Sequence, residues 1–594
     1  MTKPTVFAAF IITCMWLFLP SCNNQPTEHQ PPNVIIIMSD DQGNNLGCLG
    51  NPWLKTPHID QLSKESVHLT NFHHDMLCTP SRSALMTGRY PIRTRAWRTS
   101  RGRSMMRAEE VTIAEVFREN GYATGQFGKW HLGDTWPFRP QDQGFDEVVG
   151  LLCGGIGQIA DYWGNSYFDD TYYHNGVPEK YEGYCTDVFF NEAIRFIREK
   201  KKVPFMIYLA PNVAHLPNRV DSVYAKPYQE MGLESGQAIY YGMITNLDEN
   251  MGRLLKVLDE EGLSENTILL YTTDDGPQKN GQQFDEGGWA LEKGFNAGQR
   301  GGKGSSYEGG HRLFSFVKWP AGDVGGGKKM DQFTSIMDVM PTMLELCNIQ
   351  APEELDLDGV SFKAGLFGEE ILGSEKRPLV ISKFNNDESD TLTGNLCVMF
   401  GDWRYNHEGE LYNVKDDPAQ RQDLADQHPE LVAKMKAIYA EWLDHATGTI
   451  HEPVRFVMGD ERAPVISLTT QDSYMARGNS AFSPRGVLNL EAKNGPWKVK
   501  FVRGGTYRIT LSRYPLYTSL PIGVQSEKGK ADFDAIMARL SVGGQVVEKK
   551  ISPMDTYVAF EMKLEVGDAD LQTWLVASDG LEVPAYFVDV EYLD

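Results

Sequence analysis

The chain has 594 residues, with 57 Lys or Arg against 80 Asp or Glu, and its formal net charge is −23. Its 41% hydrophobic and 11% aromatic residues exclude a predominantly disordered protein. The length exceeds what one hydrophobic core usually serves and allows about two to four domains. The acidic total argues against a nucleic-acid-binding protein, because contact with phosphates needs a dominant basic face.

The N-terminal residues predict an export signal and a tether. Lys3 precedes an apolar stretch, residues 6–19, that falls short of the roughly 20 residues of a membrane span, so residues 1–21 are predicted to be a signal peptide. Leu19-Pro20-Ser21-Cys22 resembles a bacterial lipobox, whose cysteine is lipidated, although Pro20 replaces the small residue usual there. Residues 22–32 are typical of a polar tether. We therefore expect an exported lipoprotein, in the periplasm or on the outer membrane or cell surface, that touches the membrane only through its lipid anchor.

Eight cysteines raise the question of disulfides in an exported chain. Cys14 and Cys22 lie in the predicted signal and lipobox, and Cys78 belongs to a motif described below. Five cysteines then remain, namely Cys48, Cys153, Cys185, Cys347 and Cys397. Five cysteines allow two disulfides at most, and the sequence does not indicate which cysteines pair.

Short apolar runs alternate with helical periodicity from about residue 33 to residue 350. This alternation predicts an α/β fold with a mainly parallel sheet and helices on its faces. The predicted strands are Val34–Met38, Ala123–Phe127, Phe205–Leu209 and Ile268–Tyr271.

Three helices are predicted with specific signals. Pro80 suits the first turn of a helix that Gly88 ends as C-terminal cap. Thr112 and Glu115 form a capping box before a second helix, which ends near Gly121. A third helix carries one core-facing stripe at helical spacing, formed by Leu247, Met251, Leu254, Leu255 and Leu258.

Residues 455–594 are β-rich and predict a jelly-roll-like β-sandwich. Trp497–Val502 and Tyr507–Leu511 alternate on either side of a Gly-Gly pair and predict a hairpin. Residues 558–564 and 571–576 predict further strands, and residues 531–540 predict a short helix. This accessory domain either binds carbohydrate or packs on the preceding domain and shapes one wall of its pocket.

Charged residues follow four predicted strands. In chain order they are Asp40-Asp41, Lys129 with His131, His215, and Asp274-Asp275. Because ligands bind beyond the carboxyl ends of the strands in such sheets, we expect these side chains to face one crevice. Four clustered carboxylates are costly without a cation among them, and an oxygen-rich ligand set favours Ca²⁺, or less strongly Mg²⁺, over zinc. Either acidic pair alone has a simpler interpretation as turn residues.

Cys78-Thr79-Pro80-Ser81-Arg82 places a cysteine at the N-terminus of the first predicted helix, where the helix dipole favours developing negative charge. A lone cysteine there is more often buried structure than a nucleophile. The C-x-P-x-R string, however, resembles the signature of the type I sulfatases. In that family a formylglycine-generating maturation enzyme oxidises this cysteine to formylglycine.

Other stretches resemble the same family in the expected order, over roughly residues 33–440. They are residues 33–43, 128–133, 301–312, 338–346, 358–361, 411–413 and 417–425. The resemblance implies an alkaline-phosphatase-like fold, with a catalytic domain at 33–370 and a small α+β C-terminal subdomain at 371–450. One position departs from the pattern, since Asp275 stands where the family usually has Asn, which adds negative charge and makes the identity of the metal less secure.

The resemblance also implies the chemistry. Hydrated formylglycine at position 78 is a gem-diol, one oxygen of which attacks sulfur while the ester oxygen leaves. The resulting sulfate hemiacetal collapses to the aldehyde and expels sulfate. The resemblance implies that Ca²⁺ is held by Asp40, Asp41, Asp274, Asp275 and modified Cys78. It implies that the charge of the sulfate oxygens is neutralised by Lys129 and Lys303, and that Arg82 steadies the diol. It also implies that His131 assists deprotonation of the diol or collapse of the hemiacetal, and that His215 protonates the leaving alcohol.

Residues 76–108 contain no Asp or Glu and eight arginines, although the whole chain is acidic. Beside the nucleophile, such a segment would focus an anionic substrate into the crevice, and Arg95 with Arg98 are the candidate steering residues. The alternative is a solvated basic loop whose arginines pair with acids elsewhere.

Three function classes remain open. The first is an exported, calcium-dependent sulfatase acting on sulfated carbohydrates, such as ulvan-type or carrageenan-type algal glycans or glycosaminoglycans. The second is a phosphonate or phosphodiester hydrolase of the same superfamily. The third is a noncatalytic glycan-binding relative, against which the complete set of candidate catalytic residues argues.

Overall fold

The computed structural model describes residues 1–2, 30–278, 283–353, 355–384, 394–448, 450–523 and 533–594. Most of the predicted signal peptide and tether, with Cys14 and Cys22, lies outside these ranges. In the ranges that are described, we find no helix with both the length and the apolar character to cross a membrane. The six cysteines they contain are all free thiols.

A ten-stranded mixed sheet forms the centre of the first part of the chain. Its strands, with the short pair β3 and β12 beside them, are β1 (Asn33–Ser39), β2 (Val67–Leu69), β3 (Phe72–His73), β4 (Ala123–Lys129), β5 (Glu147–Leu151), β6 (Thr171–His174), β7 (Val177–Lys180), β8 (Phe205–Ala210), β9 (Thr267–Thr273), β10 (Ser315–Lys318), β11 (Lys329–Met330) and β12 (Thr334–Ser335). The order is β11-β2-β10-β9-β1-β8-β4-β5-β6-β7. The neighbours β9, β1, β8, β4 and β5 run parallel.

Helices cover both faces of this sheet. They are α1 (Pro57–Glu65), α2 (Cys78–Thr87), α3 (Pro91–Thr94), α4 (Ile113–Glu119), α5 (Cys185–Lys200), α6 (Ser222–Glu230), α7 (Ser235–Glu260), α8 (Glu308–His311), α9 (Val339–Leu346) and α10 (Lys363–Leu366). Strand β1 is buried throughout, with Val34 and Ile36 in the core beneath α2, α4 and α9 and Ile35 and Ile37 in the core beneath α1, α5 and α7. Successive side chains of a strand point to opposite faces, so its unbroken apolar run fits a sheet buried on both sides.

The predicted helix ends are confirmed. Thr112 and Glu115 form the capping box of α4. Helix α2 ends at Gly88, whose φ of 66° is left-handed and whose N–H donates to the carbonyl of Ala84. A residue with a Cβ is strained in that conformation, which explains the glycine.

Residues 378–447 form the small α+β unit. It consists of an antiparallel sheet of β13 (Pro378–Phe384), β14 (Gly394–Phe400), β15 (Trp403–Asn406) and β16 (Leu411–Asn413), with α11 (Pro429–Thr447). Ile92 and Trp97 of the first unit share a core with Val398 and Met435 of this one. The small unit therefore packs beside the arginine-rich segment.

The C-terminal region is a two-sheet β-sandwich. Its strands are β17 (Phe456–Met458), β18 (Val465–Thr469), β19 (Trp497–Phe501), β20 (Gly505–Ser512), β21 (Ala535–Val542), β22 (Gln545–Lys550), β23 (Val558–Leu564), β24 (Gly567–Ala577), β25 (Glu582–Val583) and β26 (Phe587–Tyr592), with the short helix α12 (Pro484–Leu488). One sheet has the order β17-β19-β24-β21-β22, with β25 on β24, and the other has the order β18-β26-β20-β23. The core between them includes Met105, Trp136 and Phe138, so the sandwich packs directly on the first unit.

These observations confirm the predicted fold class, but two local predictions in the sandwich were wrong. The predicted helix at 531–540 is strand β21 in its described part. A register irregularity between Ala535 and Met537 sets the buried residues Ala535 and Ala538 three apart, which imitates helical spacing. The predicted hairpin is not one, because β19 and β20 belong to opposite sheets. Both strands alternate because both face one core, and alternation does not distinguish pairing from facing.

Candidate active site

The structure brings the strand-end residues together. Strands β9, β1, β8 and β4 are consecutive parallel neighbours, so their carboxyl ends meet at one edge of the sheet. The acidic pairs follow β9 and β1, His215 follows β8, and Lys129 ends β4. This is the edge where parallel sheets of this type bind ligands.

The four aspartates form a buried cluster with Cys78. All four are at most 2% exposed. Potential ligand atoms of Asp41, Asp274 and Asp275 lie within 4.8 Å of one another, as do those of Asp40, Cys78 and Asp274. The backbone N–H of Asp41 donates to Asp274 Oδ1 at 3.1 Å, which fixes the two strand ends against each other.

Asp275 indicates that a cation fits this cluster. Both of its carboxylate oxygens are buried, and neither accepts a hydrogen bond within the described ranges. Burial first, and then the charge of Asp41, raise the pKa of Asp275 well above its ordinary value. A buried carboxylate without donors is costly, and oxygen ligands of this kind suit a hard divalent ion such as Ca²⁺.

Arg82 is the main internal counter-charge. It is fully buried, and its Nε and Nη2 atoms donate to Asp274 Oδ2 at 3.1 and 2.6 Å. Nη1 donates to the Tyr208 hydroxyl at 2.9 Å, and Nη2 lies 3.7 Å from Asp40 Oδ1. Charge-assisted contacts in this buried site hold the arginine and two of the predicted metal ligands as one unit.

The two predicted sulfate-binding lysines are ion-paired with the same acids. Lys129 Nζ donates to both carboxylate oxygens of Asp40 at 2.9 Å. Lys303 Nζ contacts Asp41 Oδ1 and lies 3.6 Å from Asp275 Oδ2. Lys129 is fully buried, whereas the Lys303 side chain is 22% exposed. Lys303 is therefore the lysine at the opening of the site.

Cys78 and His131 form the candidate nucleophile and base. Cys78 begins α2 and is 2% exposed, and its Sγ lies 3.4 Å from His131 Nδ1. The other ring nitrogen of His131 contacts the carbonyl of Thr99 at 3.3 Å. Burial, with further contributions from Lys129 and Arg82, holds the pKa of His131 well below its ordinary value. The ring is therefore neutral near pH 7 and can accept a proton.

His215 is half-buried. Its Nδ1 contacts the carbonyl of Leu216 at 2.7 Å, which orients the ring. A ring nitrogen of His215 and carboxylate oxygens of Asp40 and Asp41 lie within 4.8 Å of one another. Burial lowers the pKa of His215 in spite of these two acids. The structure thus places His215 beside the acids.

Two residues of the site have left-handed backbone conformations. Asp41 has φ 58° and His131 has φ 64°. Such angles are uncommon for residues with a Cβ and concentrate at functional sites. The Tyr240 hydroxyl, 3.0 Å from the carbonyl oxygen of Asp41, donates across the same turn and holds it.

The arginine-rich segment is only partly available for steering. Arg95 is 3% exposed, so a role for it as an exposed steering charge is not supported. Arg98 is half-buried, donates to the carbonyl of Phe384, and precedes the Thr99 that contacts His131. Other arginines pair with acids, as the alternative interpretation predicted: Arg89 with Glu110, Arg93 with Asp356 and Asp358, and Arg107 with Glu110.

Sequence reasoning missed several residues of the site. Tyr208 lies within β8, where its pattern is that of an ordinary core residue. Gly154 and Gly155 pack against the two histidines, since a Cβ at Gly154 would lie 2.7 Å from the His131 ring and one at Gly155 3.0 Å from the His215 ring. The Gly-Gly pair at 154–155 was the one available signal, because paired glycines often mark a close approach.

The chain is similar to known proteins. Residues 32–349 match the family model described as Sulfatase. The chain is 28% identical over 493 residues to an N-acetylgalactosamine-6-O-sulfatase of Bacteroides thetaiotaomicron, a match that covers 69% of this chain and 92% of that protein. It is 30% identical over 407 residues to Arylsulfatase A of Homo sapiens, which covers 63% of this chain and 74% of that protein.

Among solved structures, the chain resembles that of Ps i-CgsB in complex with k-i-k-neocarrahexaose. The TM-score is 0.61 and the sequence identity is 26%. The match covers 70% of this chain and 93% of that protein. The match thus includes almost all of Ps i-CgsB but leaves about three-tenths of this chain without a counterpart in that structure.

Proposed function

Because the chain belongs to the sulfatase family, and is therefore a sulfuric ester hydrolase, we propose that it releases sulfate from sulfated carbohydrates by means of oxidised Cys78. One observation carries this proposal. Cys78 begins a helix with its Sγ 3.4 Å from a histidine nitrogen and within 4.8 Å of carboxylate oxygens from two different strand ends. A candidate nucleophile, a base and a cation site thus occupy one buried place.

The surrounding residues are arranged for sulfate transfer. Position 78, as hydrated formylglycine, supplies the hydroxyl that attacks sulfur, and His131 is within reach to take its proton. Lys129 and Lys303 bring positive charge to the anionic sulfate, with Lys303 nearest to solvent. The half-buried His215 is the proposed proton donor to the leaving oxygen, and the ion pairs of Arg82 keep the acids fixed.

We propose Ca²⁺ as the resident metal, with Mg²⁺ as the alternative. Asp40, Asp41, Asp274 and Asp275 would hold it together with the oxidised side chain at 78. The buried oxygens of Asp275, which accept no hydrogen bond from the described residues, support a hard cation at this place. When bound, the ion supplies positive charge for the attacking oxygen and for the sulfate.

Carbohydrate is the proposed substrate class because of the relatives. One is named for sulfate release from N-acetylgalactosamine, and one solved neighbour is described with a neocarrahexaose. The candidates are carrageenan-type and ulvan-type algal glycans and glycosaminoglycans. The lipobox-like Leu19-Pro20-Ser21-Cys22 supports an exported lipoprotein, and Cys78-Thr79-Pro80-Ser81-Arg82 supports recognition by a formylglycine-generating enzyme.

The test is an assay of protein co-produced with a formylglycine-generating enzyme. Matched aryl sulfate, phosphate and phosphonate esters are compared, followed by a panel of defined sulfated oligosaccharides. We expect sulfate release that a Cys78→Ala variant lacks. Faster phosphonate or phosphate release would favour the related hydrolase, and no turnover above Cys78→Ala would favour a noncatalytic relative.

A further inference from the structure

Two glutamine side chains from distant parts of the chain meet beside the catalytic histidines. Gln158 follows the Gly-Gly pair, and its carboxamide lies 3.0 Å from a Cβ built on Gly154 and 3.4 Å from one on Gly155. The same two positions touch the rings of His131 and His215. The Gln158 amide therefore lies close to both histidines, and Gln158 is half-buried.

Gln471 comes from the β-sandwich. It lies in a short 3-10 turn after β18, and its Nε2 donates to Gln158 Oε1 at 3.1 Å. Two further hydrogen bonds hold this turn against the first unit. The Arg101 N–H donates to the Gln471 carbonyl at 3.4 Å, and Ser104 Oγ donates to Asp472 Oδ1 at 2.9 Å.

This pair has unused hydrogen-bonding capacity. Gln471 is only 6% exposed, and its Oε1 accepts no hydrogen bond from the described parts of the chain. Leaving a buried carbonyl oxygen without a donor is destabilising. The amide of the pair that a ligand hydroxyl or N–H can reach is that of the half-buried Gln158, which the Gln471 hydrogen bond holds in place.

We propose that Gln158, held in position by Gln471, binds uncharged hydroxyl or acetamido groups of the sugar that carries the sulfate, so that the β-sandwich helps to shape the substrate pocket. This inference rests on the proposed function. The lysines and Gln158 then bind different parts of the substrate. Lys129 and Lys303 bind the charged sulfate. The amide pair has a hydrogen-bond donor and an acceptor but no charge, so it matches a neutral sugar group.

The pair also explains how a domain far along the chain takes part in substrate choice. Gln471 lies 313 positions after Gln158, yet their amides are in direct contact. A site built to hydrogen-bond a substrate hydroxyl discriminates strongly against ligands that lack it, because its own polar groups are then left unpaired. The sandwich would thus select among sulfated sugars without touching the sulfur.

The experiment compares Gln471→Leu and Gln158→Leu with the wild-type protein on two substrates. One is a small aryl sulfate, and the other is the best sulfated oligosaccharide of the panel. We expect KM for the oligosaccharide to rise about tenfold or more, which is the loss of one or two good hydrogen bonds, with kcat/KM for the aryl sulfate changed less than about twofold. Gln471→Asn is the conservative variant and should recover part of the loss.

Ser104→Ala is the matched control. It removes a hydrogen bond from the same interface but none from the amide pair. Three results would each overturn the inference while leaving the sulfatase assignment intact. They are an equal loss of kcat/KM on both substrates, an unchanged KM for the oligosaccharide in the glutamine variants, and the same increase of that KM in Ser104→Ala. Wild-type protein that cleaves the aryl ester and no sugar of the panel would contradict both the inference and the carbohydrate assignment. Wild-type protein without any sulfate release would contradict the proposed function itself.

Discussion

Arg82 and Asp274 form a buried ion pair in which two guanidinium nitrogens, Nε and Nη2, donate to the same carboxylate oxygen at 3.1 and 2.6 Å. The other oxygen of Asp274 accepts from the Asp41 backbone. One arginine on α2 therefore connects the helix that carries the candidate nucleophile with the ends of β1 and β9.

Replacing Arg82 should destabilise the protein strongly. Arg82→Met leaves Asp274 buried without its counter-charge, and breaking such a pair costs about 3–5 kcal/mol. Denaturant unfolding of the whole protein measures this loss. Arg462→Met is the control, because Arg462 pairs with Asp460 at the surface and should change nothing measurable. Equal midpoints for the Arg82→Met variant and the wild type would contradict the structural role.

Calcium should stabilise the fold through the aspartate cluster. Dialysis against EGTA is expected to lower Tm, and calcium at about 100 times its Kd should restore about 2.7 kcal/mol. Asp40→Asn and Asp275→Ala should each reduce the calcium-dependent rise in Tm. The measurement is thermal unfolding with and without CaCl₂. A rise in Tm that is unchanged in both variants would place the ion elsewhere.

The contact between the first unit and the sandwich should depend on pH. Burial raises the pKa of Asp472 to about 6, and burial together with the charge of Asp472 raises the pKa of Asp134 well above its ordinary value. A carboxyl whose folded pKa is raised favours folding while it is protonated, so stability is lost as pH rises from about 4 to above 6.

Asp472→Asn should therefore stabilise the protein at pH 8 by about 1–3 kcal/mol and have a smaller effect at pH 5. Unfolding curves at the two pH values provide the comparison. Glu565→Gln, at an exposed site of the same sandwich, is the control for a general charge effect. A gain at pH 5 as large as the gain at pH 8 would show that proton binding at Asp472 is not the cause.

Gly154 should be required for activity rather than for folding. A Cβ at this position would lie 2.7 Å from the His131 ring and would displace it from Cys78. Misplacement of a catalytic group by about 1 Å costs up to about 100-fold, so Gly154→Ala should lower kcat about 10- to 100-fold. Gly448→Ala is the control, because no other described residue has an atom within 4 Å of a Cβ built there. Wild-type kcat in Gly154→Ala would remove His131 from its proposed role.

Arg95 and Arg98 should behave differently when each is neutralised. Arg98→Ala, at a half-buried position beside Thr99, is expected to raise KM for an anionic substrate and to weaken its dependence on salt. Arg95→Ala should instead lower stability, because Arg95 is buried. Kinetics at several ionic strengths, together with Tm, separate the two effects. An unchanged salt dependence in Arg98→Ala would exclude steering by this segment.

The sequence was sufficient where local rules determine the structure. The unbroken apolar run of β1, the capping box of α4 and the glycine end of α2 each follow from backbone geometry and burial. The polar residues after four strands were predicted to meet, because the carboxyl ends of parallel strands share one edge. These signals lie within a few residues of each other or follow from a general property of the sheet.

Contacts between distant segments could not be predicted from the sequence. Nothing near Gln471 indicates that its amide meets Gln158, and nothing near Arg95 indicates that its side chain is buried. The hairpin prediction failed for the same reason, since β19 and β20 alternate against one core from opposite sheets. Pairing and facing depend on the whole packing arrangement, which a local pattern does not encode.

The most direct test of the central claim is the mass of the tryptic peptide 65–82 from fully active protein. The account predicts an aldehyde or its hydrate at position 78 in place of the thiol, in a fraction that rises and falls with specific sulfatase activity. An unmodified thiol at Cys78 in protein of undiminished activity would contradict it.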